Sequence, residues 1–151
     1  MEQLRRLIQA ALGIIFRHPI TATSIIPILP DGRIVLVQRQ DNGKWGLPGG
    51  IVDWGEEIST SVRRELKEET GLELLQVNRL VGVYSSPDRD PRFHSICIVV
   101  ETAVEGTMQI QDKLEITDVQ AFLPSALPIG TLTHDHDQQL RDYLSGQITL
   151  A

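Results

Sequence analysis

Three acidic residues crowd the run from Glu65 to Glu69, namely Glu65, Glu68 and Glu69, and Arg64 stands immediately before them. Read as a helix at about 100° per residue, Ile58, Val62 and Leu66 form an apolar stripe, and Glu65 and Glu69 project to within about 20° of Ile58. A solvated helix with i, i+4 ion pairs would hold its acids opposite that stripe, because an unpaired buried carboxylate is too costly to carry idly. These glutamates therefore need a cation. With no Cys or His in the run, the cluster specifies a hard, oxygen-preferring ion, so Mg²⁺ is favoured and Mn²⁺ can substitute.

The wider segment from Gly50 to Leu72 fits G-x5-E-x7-R-E-U-x-E-E-x-G-U, with U a bulky aliphatic, through Gly50, Glu56, Arg64, Glu65, Leu66, Glu68, Glu69, Gly71 and Leu72. At average residue usage such a run arises by chance at roughly one start position in a billion. Pro48, Gly49 and Gly50 make a flexible loop, Glu56 and Glu57 suit the electropositive start of a helix, and Gly71 suits its left-handed stop. These signals predict a helix from about Glu57 to Thr70. The segment resembles, without a mismatch, the signature of the Nudix (MutT-like) hydrolases. That resemblance implies an α/β/α sandwich with a mixed β-sheet, and hydrolysis of a diphosphate linkage in a nucleoside diphosphate joined to another moiety. It further implies that Glu65 and Glu69 ligate the metal, that the carbonyl of Gly49 or Gly50 adds an oxygen, and that Glu68 bridges or supports. Arg64 would orient a box glutamate, with Glu56 behind it.

The family draws its general base from a box glutamate or from a later loop. Glu115, in the polar stretch Gln111 to Glu115, is the candidate here; Glu101 competes with it, and an ordinary loop acid explains Glu115 as well. Arg39, at the end of an apolar strand, resembles a phosphate-contacting position, against an ion pair with a box glutamate. The loop Ser85 to His94 carries Arg89 and Arg92, which can fork onto phosphates or a terminal ribose. It resembles the Asp-Pro-Arg loop of ADP-ribose pyrophosphatases, and Pro87 falls sixteen residues after Gly71, near the downstream proline of that subgroup. The resemblance makes ADP-ribose the expected substrate, with AMP and ribose 5-phosphate as products. The alternatives are a housecleaning pyrophosphatase for oxidised nucleoside triphosphates, a nucleotide-sensing domain that does no chemistry, and a partner-binding protein. Trp45 and Tyr84 are candidates for stacking on a base, with core packing as the rival role for Trp45. His134-Asp135-His136 reads as cap and surface rather than as a metal site.

The elements that position these residues follow from periodicity. Ile20 to Leu29 and Arg33 to Gln38 read as strands joined by a Pro30-Asp31-Gly32 turn, and Leu72 to Tyr84, Phe93 to Val104, Met108 to Ile110 and Ile116 to Phe122 as further strands. Asp135 to Leu144 closes as a helix limited by Gly146. Strands this long and apolar predict a mixed sheet with helices on both faces. Leu4, Leu7, Ile8, Ala11, Leu12 and Ile15 repeat at helical spacing, predicting over residues 1–16 an amphipathic helix packed on the domain or on a partner subunit. It is short for a membrane span, Gln9 interrupts it, and no small-residue cleavage site follows.

The 151 residues suit a single domain, and a net charge of -6 argues against non-specific nucleic-acid binding. The expected partner is a nucleotide-derived small molecule, with no nucleic acid and no membrane. Cys97 is the one cysteine; in an apolar run it reads as a buried strand residue rather than a nucleophile. A reducing cytoplasm is the default location, and analogy with ADP-ribose-cleaving relatives implies a homodimer.

Overall fold

The computed structural model describes residues 2–151, apart from the side chains of residues 15 and 16. In chain order the elements are α1 (Glu2–Phe16), β1 (Ile20–Ile28), β2 (Ile34–Arg39), β3 (Trp45–Gly46), α2 (Ile58–Thr70), β4 (Glu73–Tyr84), β5 (Ser95–Glu105), β6 (Ile116–Phe122), α3 (His136–Leu144) and β7 (Thr149–Leu150). The strands form one mixed sheet in the order β3-β2-β1-β5-β4-β7, with β6 paired to β2. β1 and β5 run parallel, from Ile20 beside Ser95 to Ile28 beside Ala103, while β4 returns antiparallel to β5. The Pro30-Asp31-Gly32 turn forms as expected: Gly32 takes a positive φ of 85°, and its N–H donates to the Leu29 carbonyl at 2.8 Å.

Neighbouring strand residues point to opposite faces, so the continuous apolar runs build two cores. Ile25, Val35 and Val100 pack on one side with Val62 and Leu66 of α2. On the other side Ile26, Leu36 and Val99 pack with Leu140 of α3. Helices on both faces make the sandwich, with α2 laid across the sheet so that one flank is dry and one faces a cleft. Each fully buried aliphatic contributes roughly 1.5–3 kcal/mol, so the register of α2 is fixed by Val62 and Leu66.

One expectation is corrected and another is narrowed. Residues 108–110 are not a strand: Gln109 donates its N–H to the Thr70 carbonyl at 2.8 Å, finishing α2, and Met108 packs against the core beneath that helix. A short apolar run does not say which of the two it will do. The amphipathic helix exists as α1, yet Leu4, Leu7, Ile8 and Leu12 are exposed instead of packed on the domain. The sheet faces they would cover are already occupied by α2 and α3; the Ile15 side chain lies outside the described residues. No helix among the described residues is long and apolar enough to cross a membrane.

Candidate active site

α2 starts after Glu57 and stops at Gly71, whose φ of 76° is the left-handed conformation that ends a helix. Between these stops the predicted projection is realised. Glu69 is 3% exposed, and the Glu65 side chain is 12% exposed. The Gly49 N–H donates to Glu69 Oε2 at 2.9 Å, and Arg64 donates to Glu65 Oε1 at 2.8 Å. Gly49 is required by close approach, since at its φ of 150° a Cβ would run into the Thr23 backbone carbonyl, and Gly50 lies directly against the Glu65 carboxylate. The glycine loop and the two acids therefore form one surface.

Burial is the main reason both acids hold protons more tightly than usual, with Glu69 raised well above its ordinary value of 4.5. The charge of Glu115 adds to the effect at both, and Glu68 adds to it at Glu65. Four carboxylates thus feel one another across the cleft. A divalent cation would reverse that repulsion, and the donor set, all oxygen, fits Mg²⁺ or Mn²⁺. Among the described residues no three His, Cys, Asp or Glu groups stand ready in coordinating geometry. The reason is visible in the hydrogen bonds: Glu65 is turned onto Arg64 and Glu69 onto Gly49. The Gly50 carbonyl accepts the Thr23 N–H at 2.8 Å, and no hydrogen bond to the Gly49 carbonyl occurs among the described residues, which makes Gly49 the better oxygen donor.

Arg64 ties the box together. Its Nε and one terminal nitrogen fork onto Glu56 at 2.8 and 2.9 Å, its other end reaches Glu65, and it also donates to the Ile51 carbonyl at 3.2 Å. This fork pulls the Glu56 carboxyl down to about 2. Glu115 is placed by backbone bonds. Asp112 N–H donates to the Glu68 carbonyl at 2.8 Å, the Asp112 side chain caps the following turn, and Gln40 N–H donates to the Glu115 carbonyl at 2.8 Å. The candidate base therefore stands beside Arg39, at the end of β2.

A cavity of about 290 Å³ is lined by Arg39, Gly49, Gly50, Arg64, Glu65, Glu68, Arg89, Arg92 and Glu115 among others, while the buried Glu69 and the Glu56 behind Arg64 are not part of that lining. Arg39 pairs with Asp41 at 2.7 Å, and among the described residues it makes no ion pair to a box glutamate. Arg92 pairs with Asp90 at 2.8 Å and keeps about half of its side chain exposed. Arg89 is different. Both arms of its fork are taken by Asp135 at 2.9 Å, and Ser95 receives a further bond, so it pins its loop to the start of α3 instead of offering a free guanidinium.

Other candidates fall elsewhere. Glu101 bonds Asn78 at 2.9 Å and pairs with Arg79 at 3.4 Å on β4, away from the cavity lining. Tyr84 is a core residue whose hydroxyl donates to Asp142 at 2.7 Å, and Trp45 packs edge-on against Phe122 at 5.4 Å. Neither offers a ring to a substrate. Of the two histidines, His136 is no surface residue: it is buried and accepts the Leu47 N–H on Nδ1 at 2.9 Å, which leaves its proton on Nε2, while His134 is half-buried, and both border the cavity. Burial brings His136 down to about 3. Asp90, Ser24 and Cys97 also border the cavity and were not singled out as site residues from sequence. Asp90 had one usable signal, its place two residues before Arg92 in a turn-rich loop.

A carboxylate-bearing helix packed on a mixed sheet, with its acids turned to a cleft edged by arginines, is the architecture of a hydrolase acting on phosphate esters or anhydrides. The chain belongs to the Nudix family: a family model described as NUDIX domain matches residues 18–143. It is a Nudix hydrolase, and members of the family generally use divalent metals. An ADP-ribose pyrophosphatase from Methanocaldococcus jannaschii is 40% identical over 134 residues, 86% of this chain and 76% of the relative. A MutT NUDIX hydrolase from Burkholderia pseudomallei superposes with a TM-score of 0.72 at 30% identity, covering 83% of this chain and 98% of the other. The NUDIX domain of Shewanella oneidensis NrtR, solved with ADP ribose, shares the fold with a TM-score of 0.76 at 23% identity, covering 87% of this chain and 90% of that one.

Proposed function

We propose that the chain hydrolyses the diphosphate linkage of ADP-ribose, giving AMP and ribose 5-phosphate, with Mg²⁺ as the cofactor and Mn²⁺ as a substitute. The observation that carries this reading is an all-oxygen carboxylate cluster, buried at Glu65 and Glu69, beside a cavity whose lining includes Glu65, Glu68, Glu115, Arg39 and Arg92. The 40% identical relative from M. jannaschii supports the choice of substrate.

In this reading Glu65, Glu69 and the Gly49 or Gly50 carbonyl hold the cation, with Glu68 in support. A divalent cation bound there supplies charge neutralisation for the diphosphate and polarises its phosphorus. Arg39 and Arg92 exchange part of their pairing with Asp41 and Asp90 for phosphate oxygens, using the planar fork that suits them to it. Arg64 holds Glu65 in place. Glu115 accepts the proton of the attacking water as the new P–O bond forms, and the bridging oxygen leaves with the other phosphate. The chain is read as one domain acting in the cytoplasm on this small molecule, without nucleic acid or membrane, and as a homodimer.

Incubating purified protein and Mg²⁺ with ADP-ribose, other nucleoside diphosphate derivatives and oxidised nucleoside triphosphates, with product identification, tests the substrate. AMP and ribose 5-phosphate from ADP-ribose is the expected result. Pyrophosphate released from a triphosphate, with ADP-ribose untouched, would replace the substrate and leave the chemistry standing. No turnover of any of them, with nucleotide binding retained, would make the chain a sensor.

A further inference from the structure

The turn ahead of α3 is bonded to both the glycine-loop side and the arginine-loop side of the site. Thr133 donates its N–H to the Trp45 carbonyl at 2.8 Å, and its hydroxyl accepts from Asn42 at 2.9 Å. Asp135 takes both arms of the Arg89 fork at 2.9 Å, and Nδ1 of His136 accepts the Leu47 N–H at 2.9 Å. The His136 N–H closes the turn on the Thr133 carbonyl at 3.1 Å. Holding two distant segments within four residues has a cost: His134 is the one non-glycine residue with positive φ among the described residues, at 50°. Backbone strain of this kind persists only where the surroundings over-determine it.

The His136 bond falls at a corner of the sheet. Gly46 still pairs with Val37 of β2, whereas the Pro48 carbonyl accepts the Ile25 N–H of β1 at 2.8 Å. Leu47 stands between the two strands, and its N–H finds its acceptor in the histidine ring. Burial brings that ring down to about 3 and so keeps it neutral, which leaves Nδ1 the lone pair the bond needs. Gly46 has no room for a side chain, because a Cβ would meet the Thr133 methyl and His136 Nδ1. Just past Pro48 comes Gly49, whose N–H bonds Glu69 and whose carbonyl makes no hydrogen bond among the described residues. A shift at Leu47 therefore passes along a short stretch, stiffened by Pro48, to two oxygen donors, the Gly49 carbonyl and Glu69.

We propose that His136 is a positioning residue for the metal: through Leu47 it sets where the Gly49 carbonyl stands, while Asp135 beside it sets the loop that carries Arg92. One turn thereby fixes the spacing between the cation and the arginine that meets the phosphates. This rests on the reading of the cleft as a metal-dependent diphosphate hydrolase site.

Direct Mn²⁺ binding, followed as free Mn²⁺ in titrations without substrate, is compared in two variants of matched polarity. His136→Asn puts an amide oxygen where Nδ1 stands, and His136→Gln puts it at the far side of the ring, away from Leu47. His136→Gln is expected to bind Mn²⁺ about tenfold more weakly than wild type, with His136→Asn within about twofold of it. Asp135→Asn is expected to leave Mn²⁺ binding unchanged and to raise KM for ADP-ribose about fivefold at saturating Mg²⁺. Wild-type Mn²⁺ affinity in His136→Gln, an equal loss in His136→Asn, or an unchanged KM in Asp135→Asn would overturn the assignment. So would a His136→Gln protein that no longer folds, or Mn²⁺ binding weakened as far by Asp135→Asn, since either would make the turn a general support of the fold. Wild type run alongside keeps the two readings apart. If it binds no Mn²⁺, the metal-dependent reading of the cleft fails and takes the role of His136 with it. If it binds Mn²⁺ and cuts a different nucleotide, only the ADP-ribose reading fails, and KM is measured on that nucleotide.

Discussion

Glu69 is the residue where fold and chemistry conflict most. It is buried at the cost of a carboxylate that resists ionisation, and its folded-state pKa lies above the ordinary 4.5. The folded protein then binds more protons than the unfolded chain above pH 4.5, so Glu69 destabilises the metal-free protein increasingly as pH rises. Glu69→Gln should therefore keep the fold and, in EDTA at pH 8, melt at or above wild type; a clear fall in Tm would mean that the carboxylate is structural. His136 has the opposite effect. Its folded pKa of about 3 lies below the ordinary 6.5, so the unfolded chain binds the extra proton and stability is lost as pH falls from about 6.5 toward 3. A melting series from pH 7 to 4 should slope downward in wild type and flatten in His136→Gln, and an identical slope would remove His136 from the acid response. Glu65 and Glu69 were legible in sequence because helical projection alone places them in the apolar stripe. His134, His136 and Asp90 were not, since their burial depends on loops brought together from distant parts of the chain.

At the scale of elements, the loop from Pro48 to Glu57 and the helix α2 behave as one unit because Arg64 bridges them. Its fork on Glu56 and its bond to Glu65 need a planar guanidinium, which a lysine ammonium cannot reproduce. Arg64→Lys should cost about 1–2 kcal/mol in denaturant unfolding and lower kcat more than about tenfold through the loss of Glu65 orientation. Full activity in a destabilised Arg64→Lys protein would show that the bridge serves only the fold. The bounds of α2 were readable because its stops are local chemistry, Gly71 above all. Residues 108–110 differ from expectation because a three-residue apolar-polar-apolar run looks alike in a strand edge and in a loop packed under a helix. The fate of Arg89 was equally hidden: its partner Asp135 lies far along the chain, and only the fold reveals that the fork is already filled.

For the whole molecule, a parallel β1–β5 pair at the centre of a mixed sheet places the box helix, the end of β2 and the Arg92 loop around one cleft. The sandwich itself followed from long apolar strands and a few helical periods. The place of α1 did not, because periodicity says that a helix has an apolar face but not what covers it. Since its described apolar side chains are exposed, deleting residues 1–16 should shift the Tm of the monomeric protein by no more than about 2–4 °C. A larger loss would mean that α1 belongs to the monomer core. The central claim is that carboxylates on α2 hold the cation with which this protein cuts ADP-ribose. It is tested most directly by the rate of AMP release from ADP-ribose at saturating Mg²⁺, measured for wild type and Glu69→Gln together. Mg²⁺-dependent release in wild type and a fall of about a hundredfold or more in Glu69→Gln is the predicted result. Release at the wild-type rate by Glu69→Gln, or release that survives EDTA, would contradict it.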